Sequence, residues 1–445
     1  MKVLLVEPGY NWPVHVPPWS PWGKMQLGAY IRKAGFTPWI MDNAFHNGTD
    51  DGIRATVGTE IQPEVIGIGG MTMQRNDGLR IARVIRAMGL IGGRRPLMVA
   101  GGVHFTFCPN DAYELFDLVV IGEGEATFLA VLERFKATGS YSGADYADIA
   151  GIGYKDPNTP DAFVLSAPRP LLEADKLCPP AFDLVPWLTK YDDGFITGEH
   201  VPMLMTGRGC PYDCQFCAAP QLYSRKVRLY PMDMVRDMML QLKRLYGKSA
   251  FRVMDDTFAA SNSRVAEFCA MVSKDIGPTR LSCLTHCKTA DLATMKLMRD
   301  TGFWVVAYGI ESGNDEVLKL INKKTTVAEA ANAIAITRQA GIAVEALYML
   351  GNIGETEQSI LDTINFAVKH NHPSQYAGMP PFVCNWFQFA TPFPGSRFFA
   401  EANNYGAVTT YNYDAYHHQA PVFIPKGLTA ERMMQLREQA FREAR

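Results

Sequence analysis

The sequence predicts an α/β protein: a doubly wound N-terminal domain, a partial parallel barrel of six β/α units, and a small C-terminal segment. Three observations predict it. Short apolar runs recur without polar alternation, as suits strands buried on both faces. Each run ends in Gly, Asn or another turn former, and helix-like segments fill the gaps. The pattern stops once, in a stretch rich in Gly, Asp and Pro, and then resumes.

The first part covers residues 1–140. Val3–Val6 is a short apolar run that ends at Pro8, and a helix-like stretch follows that closes on Gly35. Further runs end near Asn43, Gly70, Gly102 and Gly122. Strand–helix alternation of this kind gives a doubly wound sheet with its ligand at the C-terminal strand edge. No G-x-G-x-x-G follows the first strand, which argues against a dinucleotide. Residues 141–200 read as a linker with room for one small hairpin. From 201 to 400, strand candidates at 202–207, 251–256, 281–286, 304–313, 343–351 and 382–390 alternate with helical segments. Residues 401–445, aromatic-rich and then polar-helical, read as a capping segment.

Composition excludes several classes. With 445 residues, 47% hydrophobic and 20% charged, the chain is an ordinary globular one. A net charge of −2 argues against nucleic acid as a partner. The opening Met1–Trp19 lacks the apolar core of a secretory signal, and no run approaches the ~20 apolar residues of a spanning helix. The expectation is a cytoplasmic protein without membrane insertion. Nine cysteines without paired spacing suit a reducing compartment, and Cys108, Cys178, Cys269, Cys283 and Cys384 read as small buried side chains.

Chemistry concentrates in Cys210-Pro-Tyr-Asp-Cys214-Gln-Phe-Cys217, directly after a strand candidate. Three thiolates on one loop can hold three irons of a [4Fe–4S] cluster and leave the fourth open, whereas most clusters take four cysteines. A zinc site is the alternative, with His200 or His286 as fourth ligand. Here the sequence resembles the radical S-adenosylmethionine (SAM) superfamily over residues 200 to 400. The resemblance implies that SAM chelates the open iron and is cleaved to methionine and a 5′-deoxyadenosyl radical. It further implies that Asp255 or Asp256 lies near the SAM amino group, that Glu311 and Ser312 approach SAM, and that Gly351, in a Gly-x-x-Gly-Glu-Thr stretch, shapes the fifth strand end. Arg228 stands where the family often has a basic residue. Ile353 replaces the family's common proline.

The N-terminal domain resembles the cobalamin-binding domain that precedes one class of these enzymes. The matching residues are Gly67–Thr72, Ala100–His104 and Val120–Glu125. The resemblance implies cobalamin near Met71, Thr72, Gly101, Gly102, His104, Gly122 and Glu123. The Asp-x-His-x-x-Gly motif that ligates cobalt elsewhere is absent, and His15 does not fit it. No histidine is therefore expected below the corrin, where Met71 or Thr72 is placed instead; His104 is equally readable as a satisfied core residue.

The expected activity is methyl transfer from SAM through methylcobalamin to an unactivated carbon, fed by an external electron donor such as ferredoxin or flavodoxin. A cyclase or rearranging enzyme with the same cofactors is the alternative, and a sensor without catalysis is a third reading. A methylthiotransferase needs a second cysteine triad, and the N-terminal domain has only Cys108. Compact family members include enzymes that methylate a glutamine of methyl-coenzyme M reductase. A protein or peptide, a lipid, a porphyrin and a natural-product intermediate are thus the substrate classes in view.

Overall fold

A computed structural model describes residues 1–9, 19–43, 45, 48–191, 201–371 and 383–444. They form two compact units: residues 1–191 with 412–414, and residues 192–411 with 415–445.

Unit 1 runs β1 (Lys2–Glu7), α1 (Trp22–Lys33), β2 (Thr37–Asp42), α2 (Asp50–Ala55), β3 (Val65–Gly69), α3 (Arg75–Met88), β4 (Leu97–Gly101), α4 (Gly102–Phe107), β5 (Leu118–Val120), α5 (Gly124–Thr138), β6 (Ile152–Asp156) and β7 (Thr159–Leu165). The sheet order is β2-β1-β3-β4-β5-β6-β7. The first five strands are parallel, and the β6–β7 hairpin joins antiparallel. β1 forms because Val3–Val6 bury completely between helix layers. Strand order reverses between β1 and β3, and such a switch point is where open α/β sheets take ligands. β2 is an edge and carries Pro38, which could not donate to a central ladder. β7 is the other edge and contains Asp161 at φ 65°. The stretch expected as linker therefore belongs largely to unit 1: its hairpin extends the sheet, and Phe182 packs against Trp22.

Unit 2 runs β8 (Met203–Leu204), β9 (Gly207–Arg208), α6 (Ala219–Tyr223), β10 (Arg228–Leu229), α7 (Met232–Tyr246), β11 (Ala250–Val253), α8 (Asn262–Met271), β12 (Arg280–Thr285), α9 (Leu292–Thr301), β13 (Phe303–Glu311), α10 (Asp315–Leu320), α11 (Val327–Gln339), β14 (Ala343–Leu350), α12 (Glu357–Asn371), β15 (Val383–Phe389), α13 (Arg397–Tyr405), β16 (Gly406–Val408), β17 (Phe423–Pro425) and α14 (Ala430–Glu443). Six strands, one in each expected segment, form a parallel sheet in the order β15-β14-β13-β12-β11-β8. Arg252 on β11 meets Glu345 on β14 at 3.1 Å. Those strands stand three steps apart, about 14 Å along a flat sheet. The sheet must therefore curl as a barrel does, with this pair on its concave face.

That register sorts the strand residues. Tyr308 bonds Thr337 of α11, Tyr348 packs on Phe366 of α12, and Phe387 packs on Phe441 of α14, so all three face the outer helices. The concave face carries Met203, Met254, Leu284, Leu347, Met349 and Trp386, all partly exposed. The C-terminal segment is a covering layer: α14 lies along β15, where Arg437 Nε donates to Phe387 O at 2.9 Å.

The buried pair generates a prediction. Glu345→Ala takes a carboxylate contact from a largely buried guanidinium and should cost about 3 kcal/mol in urea unfolding of the metal-free protein. Arg252→Met combined with Glu345→Leu should recover most of that loss.

Candidate functional site

The cysteine loop leaves β9 through Gly209 at φ 92°, where a Cβ would lie 2.1 Å from Lys226 O, so glycine is required. Its course is fixed from several sides. Gln215 N–H donates to Ile321 O at 2.9 Å, and Asn322 Nδ2 donates to Asp213 O at 2.6 Å. Phe398 N–H donates to Gln215 O at 2.9 Å. Cys210 and Cys217 are partly exposed, Cys214 is buried, and none is in a disulfide.

Burial pushes all three thiols up, Cys214 to about 11 and Cys217 to about 12, and Cys210 adds to both. The thiols are thus near enough to repel one another as thiolates. Yet no three His, Cys, Asp or Glu among the described residues converge tightly enough to hold a single ion. His286 is also committed elsewhere: Nε2 meets Lys323 O at 2.9 Å, and Nδ1 accepts from Lys288 N at 3.2 Å. His200 and His15 lie outside the described residues.

Two carboxylates follow β11. Asp255 is buried under the loop and takes the Thr206 N–H at 2.6 Å and the Thr206 hydroxyl. Burial raises its pKa to about 6 against those hydrogen bonds. Asp256 takes the Gly209 N–H at 3.0 Å. It is open to solvent, yet desolvation still raises its pKa, as expected for a side chain lining a recess. Of the two, Asp256 alone can reach a ligand.

Glu311 ends β13 at φ 68°, and its carboxylate holds Lys323 Nζ at 2.8 Å, both groups buried. Burial alone would lower the lysine's pKa, but Glu311 and the neighbouring Cys214 hold it above the usual value. The ammonium also lies 5.8 Å from the Phe216 ring centroid, inside the cysteine loop. Lys323 went unrecognised in the sequence, because Lys323-Lys324 reads as an exposed basic pair and its partner is twelve positions away.

Other expected residues have structural duties. Ser312 is fully buried and bonds Thr363 Oγ1 at 3.1 Å, so its hydroxyl anchors the turn. Arg228 is buried in the β9–β10 ladder with its guanidinium 5.7 Å from the Tyr223 ring centroid. Gly351 (φ 83°) and Gly354 (φ 70°) make the turn after β14 without proline. Glu355, buried, takes the N–H groups of Gly351 at 2.5 Å and Asn352 at 2.8 Å, and burial raises its pKa to about 7. Ile353 packs into a core with Leu318 and Phe398.

In unit 1, backbone closes tightly at the C-terminal ends of β3 and β4. A Cβ on Gly69 would lie 2.4 Å from Gly101 O, and one on Gly102 (φ 83°) 2.6 Å from Gly70 N. Gly122 (φ 78°) opens on free space, and Met71 is partly exposed. Gly69 and Gly102 thus serve the close approach of the two strand ends, and Gly122 leaves its backbone bare. At the switch point, Glu7 pairs with Lys24 at 2.6 Å and accepts from Gln74 Nε2 at 2.6 Å. His104 is a correction: it is buried, its Nε2 lies 3.0 Å from Asp111 and its Nδ1 3.4 Å from Thr72. Thr72 is buried with it, which leaves Met71 as the exposed member of the pair placed beneath the corrin. Glu123 precedes α5 and accepts the Leu172 N–H at 3.2 Å.

Residues 204–367 match the radical SAM superfamily, and residues 16–132 match the B12 binding domain. The chain is 27% identical over 455 residues to "Uncharacterized methyltransferase PH0819" of Pyrococcus horikoshii, covering 99% of this chain and 92% of that one. It is 24% identical over 450 residues to the anaerobic magnesium-protoporphyrin IX monomethyl ester cyclase of Cereibacter sphaeroides, covering 96% and 68%. A similar solved structure is the cobalamin-dependent S-adenosylmethionine radical enzyme OxsB with aqua-cobalamin and S-adenosylmethionine bound, at TM-score 0.76 and 16% identity. That match covers 98% of this chain and 66% of that one.

Two predictions follow from the geometry. Asp255 has a folded pKa near 6 against 3.8 for the free group. The native state therefore holds its proton longer than the unfolded chain, and stability falls as pH rises through that window. Asp255→Asn keeps both contacts with Thr206 and should remove up to about 3 kcal/mol of that fall, read as melting temperature against pH. His104→Gln should leave hydroxocobalamin affinity within about threefold by absorption titration.

Proposed function

From a chain that belongs to the cobalamin-binding radical SAM enzymes, we propose a C-methyltransferase that moves the SAM methyl group through cobalamin to an unactivated sp3 carbon. The observation that carries this reading is the pairing of a three-cysteine loop, in residues that match the radical SAM superfamily, with a separate sheet that matches the B12 binding domain. When bound, the cluster, SAM and cobalamin supply a carbon radical and a transferable methyl group.

The chain's own residues do the holding. Cys210, Cys214 and Cys217 would ligate the cluster and leave one iron for SAM. Asp256 would accept from the SAM amino group, since its carboxylate is open and acceptor-only when ionised. Glu311 and Lys323 would bound the same recess as a fixed ion pair. In unit 1, Met71, Gly101, Gly102 and Gly122 would line the corrin and its tail. The concave face of unit 2, with Met254, Leu347 and Trp386, would receive the substrate, and its apolar lining would keep water from a radical. An external one-electron donor is required.

Methyl transfer is favoured because the relative aligned over 99% of this chain carries a methyltransferase name. The cyclase relative keeps cyclisation as the second reading. A glutamine of methyl-coenzyme M reductase finds no support among these relatives.

The test is anaerobic reconstitution with iron, sulfide and cobalamin, followed by reductant and SAM with a deuterated methyl group. 5′-Deoxyadenosine, S-adenosylhomocysteine and labelled methylcobalamin should all appear by mass spectrometry. Deoxyadenosine alone would favour the cyclase reading, and neither product from cluster-loaded protein would overturn both.

A further inference from the structure

The cysteine loop is gripped at one point by a residue that neither ligates nor reacts in the reading above. Tyr212 lies midway between Cys210 and Cys214. Its ring stacks on the His286 ring at 3.9 Å and 15°. His286 follows β12 and is 4% exposed. Because Nδ1 accepts the Lys288 N–H, the proton sits on Nε2, which donates to Lys323 O. One ring thus touches the loop with its face and the Lys323 turn with its edge.

That turn needs outside support. Asn322 and Lys324 both have left-handed backbone, φ 54° and 60°, on either side of Lys323. Side-chain-bearing residues stay in that region only when their surroundings over-determine it. The surroundings here are Ile321 O on Gln215 N, Asn322 Nδ2 on Asp213 O, and His286 on Lys323 O. Two of the three tie the turn to the cysteine loop, and the third ties it to the ring that stacks on that loop.

We infer that His286 is a positioning residue that holds the cysteine loop and the Lys323–Glu311 pair in one register, through its face on Tyr212 and its Nε2–H on Lys323 O. The inference rests on the cofactor reading proposed above. Burial, with the Lys323 charge, lowers the His286 pKa to about 4, so the ring is the neutral donor that this geometry needs across the working pH range.

Two variants separate the contacts. His286→Phe keeps the stacking face and loses the donor; His286→Gln keeps a donor and loses the face. Each is reconstituted as the full chain and read for iron per chain, electron paramagnetic resonance of the reduced cluster with and without SAM, and SAM affinity. His286→Phe should load iron normally, yet bind SAM about tenfold more weakly and lose the SAM-induced spectral change. His286→Gln should keep SAM affinity within about threefold but show an altered cluster spectrum before SAM is added. Tyr212→Leu removes the stack from the other side, stands in if the His286 variants do not fold, and should copy His286→Gln. Wild-type spectra and SAM affinity in all three, with only the melting temperature lowered, would overturn the inference alone. A wild-type protein that takes up no iron would overturn the functional reading and this inference with it.

Discussion

A lysine ammonium as buried as Lys323 is untenable without an anion in contact, and much of the unit 2 site follows from that constraint. The anion is Glu311, which sits where the end of β13 turns into left-handed backbone and its register with β14 shifts. A Cβ on Gly309 would lie 2.3 Å from Glu311 Oε1 and 2.9 Å from Lys323 Nζ, so a side chain there would displace the ion pair. The Gly-Ile-Glu-Ser-Gly stretch is thus explained from inside: one glycine clears the ion pair, and Gly313 clears the backbone of α12. Ser312 ties the same turn to Thr363. What reads as a ligand-binding motif is in good part the scaffolding of a single charge pair.

Legibility divides along sequence distance. The six strands and the cysteine loop were readable because their signal is local: apolar runs, glycine punctuation, and three thiols within eight residues. Residues 141–200 read as a linker with room for a hairpin, and the hairpin's attachment to the first sheet went unread, because pairing with β5 leaves no mark in composition. Which face each strand residue takes depends on register, and parallel strands buried on both sides do not alternate. Tyr308, Tyr348 and Trp386 therefore carry no local mark of the face they take, and only register sends the tyrosines outward. His104 and Ser312 sit at motif positions, but their polar atoms are consumed by Asp111, Thr72 and Thr363. Lys323 and the Tyr212–His286 stack needed contacts across twelve and seventy-four positions, which no local pattern carries.

The two units share a strategy at different scales. Each places its motif glycines at the C-terminal ends of parallel strands. In unit 1 the glycines lie where neighbouring strand ends nearly touch. In unit 2 they flank loops that project side chains. The first arrangement lets backbone meet backbone, and the second sets side chains free to project.

The rims of the first sheet carry a different lesson. Pro38 removes a donor from one edge strand, and Asp161, in left-handed backbone, interrupts the other. An intruding strand would find an incomplete ladder on either side. The sheet is thereby terminated in both directions, and chains crowded together during synthesis have no ready template there for joining edge to edge.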